Sequence, residues 1–303
     1  MDVNGVINVY KEKGYTSHDA VSIMKRTLKA KAGHTGTLDP GAGGVLPIVL
    51  GYSTRLSDYI MAEDKVYEAD IHFGITTDTQ DITGNVISDK RPAHFSEADF
   101  LTVIKSFEGE ISQIPPMYSA IKVGGEKLYN LARKGIEIER KPRAVKIQSI
   151  GIIKFTEEWA SIRVACSKGT YIRTLCADIG EKLGCGAAMG ELLRVKSGDF
   201  SIATALKLDE IKAKAETGEI ARHILSPQDI LKGYPSIYAE GEALKLIRNG
   251  NPINSKFLSK GQAEPGQKYR LYTSKEQFVG LYSLDAAGFL RPDVILSNLS
   301  EVR

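Results

Sequence analysis

Residues 32–51 read AGHTGTLDPGAGGVLPIVLG, a stretch unusually rich in glycine. Each glycine destabilises a helix by roughly 1 kcal/mol, so this stretch is predicted to be a structured loop. It matches neither the G-x-x-x-x-G-K-[ST] pattern of a P-loop nor the G-x-G-x-x-G pattern of a dinucleotide site. The loop therefore does not indicate a nucleotide-phosphate cradle.

Asp39 lies in the middle of this loop, between Leu38 and Pro40. The surrounding glycines allow the backbone to approach a substrate closely, which suits a catalytic carboxylate. A plainer alternative is a turn aspartate that bonds its own backbone, because Asp is among the commonest turn residues. The loop alone leaves both interpretations open.

Regular elements are predicted on both sides of the loop. Residues 6–9 indicate a short strand, and Thr16 with Asp19 three residues later matches a capping box that begins a helix. From Val66 to Phe73 apolar and polar residues alternate, which is typical of a half-buried strand.

A second junction is predicted in the middle of the chain. Residues 162–166 alternate as a strand, and residues 172–183 carry apolar side chains at helical spacing. A strand, a turn and a helix therefore meet at Tyr171.

The last part of the chain differs in character. Beyond about Tyr234 short, glycine-punctuated strands are predicted, for example KYRLY at 268–272. Strands and helices interleave without a βαβ rhythm, so we predict an α+β fold with a mixed, largely antiparallel sheet. We expect a catalytic domain at 1–233 and a small β-rich domain at 234–303.

The composition is that of an ordinary folded protein, with 303 residues, 42% hydrophobic and 25% charged. The net charge of +3 argues neither for nor against a nucleic-acid partner. The three cysteines form no C-x-x-C pair, which disfavours a disulfide framework and a zinc site. We find no secretory signal or membrane-length apolar run, so we expect a cytoplasmic protein without a membrane span.

Positive charge is concentrated locally. The segment from Tyr118 to Lys146 contains eight Lys and Arg residues against three Glu residues, a local excess of five. This basic segment, at about 115–146, is the first feature that favours a polyanionic partner.

Two further patterns were considered as sites and rejected. Residues 76–85, TTDTQDITGN, superficially resemble a calcium loop, but Gln80 and Ile82 stand at ligand positions and no Glu closes the loop. His34 lies five residues before Asp39, yet no Ser or Cys occupies a nucleophile elbow, so a hydrolase triad is not indicated.

Tyr67 and Arg173 each have a plain structural explanation when taken singly. Tyr67 shares a strand face with apolar residues and fits a core tyrosine. Arg173 stands at a strand-to-helix junction, where a surface ion pair would be ordinary.

Four longer stretches of sequence, taken together, outweigh these plain structural explanations. They are GHTGTLDPGAGGVLPIVLG at 33–51, KVYEADIHFGITTDTQDITG at 65–84, PPMYSAIKVGGEKLYNLARKGIEIER at 115–140 and CSKGTYIRTLCADIGEKLGCGA at 166–187. In order and spacing the chain resembles the bacterial TruB-type tRNA pseudouridine-55 synthases over roughly residues 6–195. The last seventy or so residues resemble the small RNA-binding PUA domain of such enzymes. The resemblance implies a pseudouridine synthase fold.

The resemblance also implies roles for the residues that match its strings. Asp39 matches the catalytic aspartate. Tyr67 matches the tyrosine that packs on the target base and helps to remove its C5 proton. Tyr171 and Arg173 match the second pocket tyrosine and the arginine that pairs with the catalytic carboxylate.

Three further residues are implied as substrate-binding. Leu192 matches an apolar residue that lines the uracil pocket, His34 a histidine associated with displacing the target nucleotide, and Asp81 an acidic position near the site. The chain departs from the family pattern nearby, because Ala188 replaces a frequent histidine and Leu193 replaces the first of two arginines that end at Arg194.

The implied substrate is the T stem-loop of tRNA, bound by a monomer. The basic segment is expected to grip phosphates through a set of cations: Lys122, Lys127, Arg133, Lys134, Arg140, Lys141 and Arg143. Isomerisation of uridine needs neither redox chemistry nor hydrolysis, so we expect no cofactor and no metal. The related guide-RNA-dependent enzymes of archaea and eukaryotes lack the basic segment, and the eukaryotic ones often carry lysine-rich tails. This chain has the segment and no such tail, so the resemblance implies a stand-alone bacterial enzyme.

Two other functions fit part of the pattern. A tRNA-folding chaperone would use the same basic segment and terminal domain without chemistry. A nucleoside hydrolase would release free uracil instead of joining it again to the ribose.

Overall fold

The computed structural model describes residues 3–119 and 121–301. Most of its strands belong to one large sheet and one smaller sheet. In chain order the strands are β1 (Gly5–Lys11), β2 (Ala32–His34), β3 (Gly43–Leu50), β4 (Lys65–Phe73), β5 (Ile75–Thr77), β6 (Val86–Asp89), β7 (Gly109–Gln113), β8 (Lys122–Val123), β9 (Glu126–Lys127), β10 (Arg143–Phe155), β11 (Trp159–Cys166), β12 (Ala187–Ser197), β13 (Phe200–Ser201), β14 (Leu206–Lys207), β15 (Ile224–Leu225), β16 (Ser236–Ala239), β17 (Ile253–Asn254), β18 (Leu258–Lys260), β19 (Lys268–Thr273), β20 (Phe278–Leu284) and β21 (Phe289–Ile295).

Helices connect these strands. They are α1 (Ser17–Leu28), α2 (Ser57–Ala62), α3 (Glu97–Lys105), α4 (Leu128–Arg133), α5 (Ile172–Lys182), α6 (Leu208–Glu216), α7 (Pro227–Ile230) and α8 (Ala243–Arg248). Short 3-10 turns lie at Gly51–Leu56, Ile202–Thr204, Glu219–His223, Ser255–Phe257 and Leu299–Glu301.

The large sheet has the strand order β14-β1-β3-β12-β4-β11-β10-β7, with β2, β13 and β15 paired at its sides. Its pairs are antiparallel except β1 with β14 and β3 with β12. This arrangement confirms the predicted α+β fold with a mixed, largely antiparallel sheet. The central position of β12, between β3 and β4, brings together segments that are far apart in the sequence.

The prediction of a loop throughout residues 32–51 was wrong in part. Residues 43–50 form β3, which is buried along its whole length and pairs with β1, β2 and β12. A central strand that is buried on both faces shows no alternation of apolar and polar residues, so its pattern is hidden in the sequence. The loop proper is the shorter segment 35–42.

Other local predictions are confirmed. Thr16 and Asp19 form the expected capping box at the start of α1. In β4 the residues from Ala69 to Phe73 alternate between buried and partly exposed positions, whereas Val66, Tyr67 and Glu68 are all partly exposed. The helix predicted at 172–183 is α5, and it begins directly after Tyr171.

The smaller sheet contains residues from Ser236 to Ile295 in the order β17-β21-β20-β19-β16-β18. It has its own apolar core, but Phe278, Leu281 and Val294 also pack in a cluster with Val45 and Val49 of β3. The smaller sheet is therefore joined to the large one by apolar contacts. The division of the chain into domains at residue 233 remains our proposal.

Candidate active site

The loop at 35–42 is held against the amino-terminal end of α1. The Ser17 hydroxyl accepts a hydrogen bond from the Leu38 amide at 2.9 Å and donates one to the Leu38 carbonyl at 3.0 Å. The Gly14 amide donates to the Pro40 carbonyl at 2.9 Å. These bonds bracket Asp39 on both sides, so its backbone is fixed while its side chain stays about half exposed.

Asp39 and Arg173 form an ion pair across the site. The Asp39 side chain is 47% exposed, whereas the Arg173 side chain is only 10% exposed. The Asp39 carboxylate thus meets a guanidinium and is no simple turn cap, and Arg173 is too buried for an ordinary surface pair. A carboxylate that is open to solvent on one side and held by a buried cation on the other is suited to meet a substrate.

Asp81 lies behind Arg173. Its Oδ2 atom is 3.5 Å from Arg173 Nη1, and its Oδ1 atom accepts hydrogen bonds from the Thr83 amide at 3.0 Å and the Thr79 hydroxyl at 2.9 Å. Asp81 is therefore fixed by its own turn and orients the guanidinium toward Asp39. We predicted a substrate-binding residue here, and the geometry shows a contact with Arg173.

Tyr171 stands at the start of α5 and is held by the Gln113 side chain. The Tyr171 amide donates to Gln113 Oε1 at 3.0 Å, and Gln113 Nε2 donates to the Tyr171 carbonyl at 3.3 Å. Gln113 is 1% exposed, so water does not compete for these bonds. Our sequence reasoning missed Gln113, because a glutamine in an edge strand carries no catalytic signature.

Tyr67 and Tyr171 both lie within electrostatic reach of Asp39. Burial raises the pKa of each tyrosine, and the negative charge of Asp39 acts in the same direction. Both phenols are therefore neutral at physiological pH. Tyr67 also packs against the main core, as its plain structural explanation predicted.

Arg194 is a second residue that the sequence reasoning did not identify as part of the site. It is 1% exposed, and it donates hydrogen bonds to the carbonyls of Val45 at 2.7 Å and Gly36 at 3.0 Å. Arg194 is paired opposite Tyr67 in the sheet, and its positive charge opposes the rise that burial causes in the pKa of Tyr67. The signal that could have found it is its place between the apolar residues Leu193 and Val195.

His34 and Leu192 lie on elements that border the site. His34 ends β2, accepts a hydrogen bond at Nδ1 from the Gly36 amide at 3.4 Å, and contacts His18 edge-on with ring centroids 5.4 Å apart. Leu192 is opposite Ala69 in the pairing of β12 with β4, and it is 9% exposed. Their roles toward a substrate remain predictions.

Some cations of the basic segment have partners within the protein. Lys134 pairs with Glu126 at 2.6 Å, and Arg140 pairs with Glu137 at 3.0 Å. These two residues can contact a phosphate only by sharing or leaving those partners.

The remaining cations of the segment differ in position. The Arg133 guanidinium lies 5.5 Å from the centroid of the Tyr129 ring. Arg143 and Lys141 are exposed, and the positive charge of Arg143 opposes the rise that burial causes in the pKa of Tyr171. The side chains of Lys122 and Lys127, which we also predicted to bind RNA, lie outside what the structure describes.

No group of three or more His, Cys, Asp or Glu side chains within residues 3–119 and 121–301 is arranged to hold a metal ion. Among the same residues no helix is long and apolar enough to cross a membrane.

Two family models match the chain. Residues 25–172 match the model described as TruB family pseudouridylate synthase, N-terminal domain. Residues 173–231 match the model described as tRNA pseudouridylate synthase B C-terminal domain. The matched residues include Asp39, Tyr67, Tyr171, Arg173 and Arg194.

Several relatives are similar over nearly the whole chain. A tRNA pseudouridine synthase B of Clostridium kluyveri is 44% identical over 281 residues, which are 92% of this chain and 95% of the relative. One of Clostridium tetani is 45% identical and covers 95% of this chain and 98% of the relative. One of Alkaliphilus oremlandii is 46% identical, with 92% of each chain covered.

Solved structures share the fold. The crystal structure of a Cbf5-Nop10-Gar1 complex contains a chain with a TM-score of 0.74 and 27% identity, covering 98% of this chain and 86% of that one. A structure of an H/ACA RNP bound to a substrate RNA containing 2′-deoxyuridine gives a TM-score of 0.71 and 25% identity, with 97% and 85% covered.

Proposed function

The chain belongs to the TruB family of pseudouridylate synthases, and from this membership we propose that it isomerises a uridine of tRNA to pseudouridine. The relatives named above are tRNA pseudouridine synthases, which supports tRNA as the substrate class. The T arm at position 55, a monomeric state and a cytoplasmic location are further parts of the proposal, and they come from the resemblance and composition of the sequence.

One arrangement carries the proposal. The Asp39 carboxylate is half exposed, is held by the buried guanidinium of Arg173, and has Tyr67 and Tyr171 within electrostatic reach. The guanidinium of Arg173 holds one side of the Asp39 carboxylate, so its exposed side is positioned to act as a nucleophile or base. The two aromatic rings supply apolar surface for a flat base.

The proposed isomerisation uses the Asp39 carboxylate and the side chains around it. The bond between ribose C1′ and uracil N1 breaks, the base turns, and C5 joins C1′. C5 then loses its proton and N1 gains one, so the net change is an isomerisation. Asp39 starts the sequence either by attacking C1′ or by taking a proton from C2′, and both routes use the same ionised carboxylate.

The target uridine reaches Asp39 only after it leaves the RNA stack. Extrusion costs a few kcal/mol, and stacking on an aromatic ring returns about 1 to 3 kcal/mol. Tyr67 is the ring that we assign to this contact. We propose that His34 occupies the place in the RNA stack that the target base leaves, because His34 ends the strand that leads into the Asp39 loop.

The basic segment is proposed to hold the RNA backbone away from Asp39. The basic segment carries five net positive charges, and Arg143 links it to the tyrosine side of the site. Phosphate contacts of this kind weaken as salt rises, because counterions compete for the phosphates. The β-rich region after residue 233 is proposed as a second RNA contact.

Position-mapped detection of pseudouridine on a tRNA transcript tests the proposal. Wild type is expected to modify position 55, and Asp39→Asn to abolish modification while tRNA binding stays nearly unchanged. Asp199→Asn is a matched control, because Asp199 is an exposed aspartate in the turn after β12.

The alternatives give different results in the same assay. A wild-type enzyme that binds tRNA but forms no pseudouridine would point to the chaperone. Release of free uracil would point to a hydrolase. Full activity of Asp39→Asn would remove Asp39 from the mechanism.

A further inference from the structure

Arg194 has the largest side chain that the fold fully buries among the described residues. It lies in β12, opposite Tyr67 of β4 and Gly44 of β3. A Cβ atom at Gly44 would lie 2.2 Å from the Arg194 carbonyl oxygen, so only glycine permits this close approach. Arg194 therefore stands between the strand that carries Tyr67 and the strand that follows the Asp39 loop.

The guanidinium of Arg194 joins these two parts of the site. Its Nε donates to the carbonyl of Val45, near the start of β3, and its Nη2 donates to the carbonyl of Gly36, three residues before Asp39. Tyr67 is paired opposite Arg194 in the sheet, so the two side chains lie on the same face, and the positive charge of Arg194 opposes the rise that burial causes in the pKa of Tyr67. One planar group thus binds the loop of the carboxylate and lies beside the tyrosine.

A purely structural role explains this arrangement poorly. Burying a guanidinium costs free energy that a carboxylate partner normally offsets, and none of the ion pairs formed by the described residues includes Arg194. Lys11 and Lys65, which are also buried, add like charge beside it. A well-packed apolar side chain would fill the same space at lower cost.

We propose that Arg194 is a positioning residue that fixes the spacing between Asp39 and the Tyr67 hydroxyl during the isomerisation. This inference rests on the proposed function. When C1′ is held at Asp39, the neutral Tyr67 phenol must lie beside the uracil C5 atom to relay its proton: the phenol oxygen takes the C5 proton as its own hydroxyl proton passes to water, and water supplies the proton that N1 gains. A misplacement of about 1 Å in such a geometry lowers the rate by up to about 100-fold.

The experiment compares Arg194→Lys with a matched control, Arg163→Lys. Arg163 lies in β11, next to β4, and its exposed guanidinium pairs with Glu68. Steady-state kinetics on a tRNA transcript give kcat and KM, and a transcript containing 5-deuterouridine gives the isotope effect of C5 on kcat.

We expect Arg194→Lys to lower kcat roughly 10- to 100-fold. KM and the Kd for tRNA should change by less than about twofold, because the interaction matters after binding. The isotope effect should rise above that of the wild type, because removal of the C5 proton becomes slower than the other steps. Arg163→Lys should match the wild type in all four quantities.

A lower kcat with an unchanged isotope effect would overturn the proposal, since a partly misfolded preparation behaves in this way. Unchanged kcat would overturn it as well. If Arg194→Lys does not fold, Arg194→Gln replaces it, because its neutral amide can reach a carbonyl but not Tyr67 at the same time. Failure of both variants to fold would assign Arg194 a structural role. Failure of the proposed function is distinct, because the wild type and Arg163→Lys would then form no pseudouridine.

Discussion

Replacing Arg173 with lysine is expected to remove most of the activity, although the positive charge is kept. Arg173 uses two nitrogen atoms, since Nη2 contacts Asp39 and Nη1 lies 3.5 Å from Asp81. Lysine presents a single nitrogen on a flexible stem and cannot reproduce the planar fork. In Arg173→Lys one of the two carboxylates therefore loses its charged partner.

The structure sets the size of this effect. The Arg173 side chain is only 10% exposed, so water replaces a lost bond poorly. A hydrogen bond to a charged group contributes about 1.5 to 3 kcal/mol, and each 1.36 kcal/mol changes a rate by about tenfold. Loss of one such bond in the transition state predicts a kcat about 10- to 150-fold lower. The half-exposed Asp39 side chain favours the lower part of this range, because solvent screens its charge.

The assay is tritium release from C5-labelled uridine in a tRNA transcript, measured with excess enzyme and at steady state. KM should change little, because Arg173 contacts the carboxylate and lies too deep to hold phosphates. Arg163→Lys is again the control for an Arg-to-Lys change in an ion pair. Turnover of Arg173→Lys within about twofold of the wild type would refute the argument that fork geometry matters.

Two further predictions concern charge. Reversing Lys127, Arg133 and Lys134 together is expected to raise KM and to flatten the loss of tRNA affinity with salt, because fewer phosphates are neutralised; an unchanged salt slope would rule out phosphate contacts by these residues. Burial lowers the pKa of Lys65 from 10.5 to about 8, so between these values the unfolded chain binds more protons and the free energy of unfolding rises with pH. Relative to Lys65→Met, the wild type should therefore gain about 2 kcal/mol of stability from about pH 7 to about pH 10. Denaturant titrations followed by Trp159 fluorescence measure this difference, and a difference that does not vary with pH would contradict the prediction.

Local elements of the fold were predictable where the sequence contains a local signal. The capping box of Thr16 and Asp19 and the alternation along β4 depend on neighbours within a few residues. The strand β3 was missed because its burial on both faces comes from the pairing with β1 and β12, which no local pattern encodes. Gly44, which was interpreted as a loop signal, lies within β3 and permits the close approach of Arg194.

The site was predictable only in part from the residues themselves. Asp39 and Arg173 are 134 positions apart, so their contact follows from the tertiary fold, and it was expected only through the resemblance to a family. Gln113 was missed because it acts on the backbone of Tyr171 and carries no reactive group. A count of charges also could not show which cations of the basic segment pair with a neighbouring Glu, as Lys134 does with Glu126.

The placement of charge links this fold to its function more closely than the total charge does. A net charge of +3 on 303 residues indicates no particular partner. Inside the molecule, however, Lys11 and Arg194 are buried, and both interact electrostatically with groups of the site, Lys11 with Asp39 and Arg194 with Tyr67. Like charges that are buried together destabilise a fold unless negative charge meets them. In the proposed mechanism the Asp39 carboxylate supplies part of that charge, and the uracil supplies more because it carries negative charge while its bond to C1′ breaks. A preorganised positive environment of this kind stabilises the transition state without a cost of reorganisation.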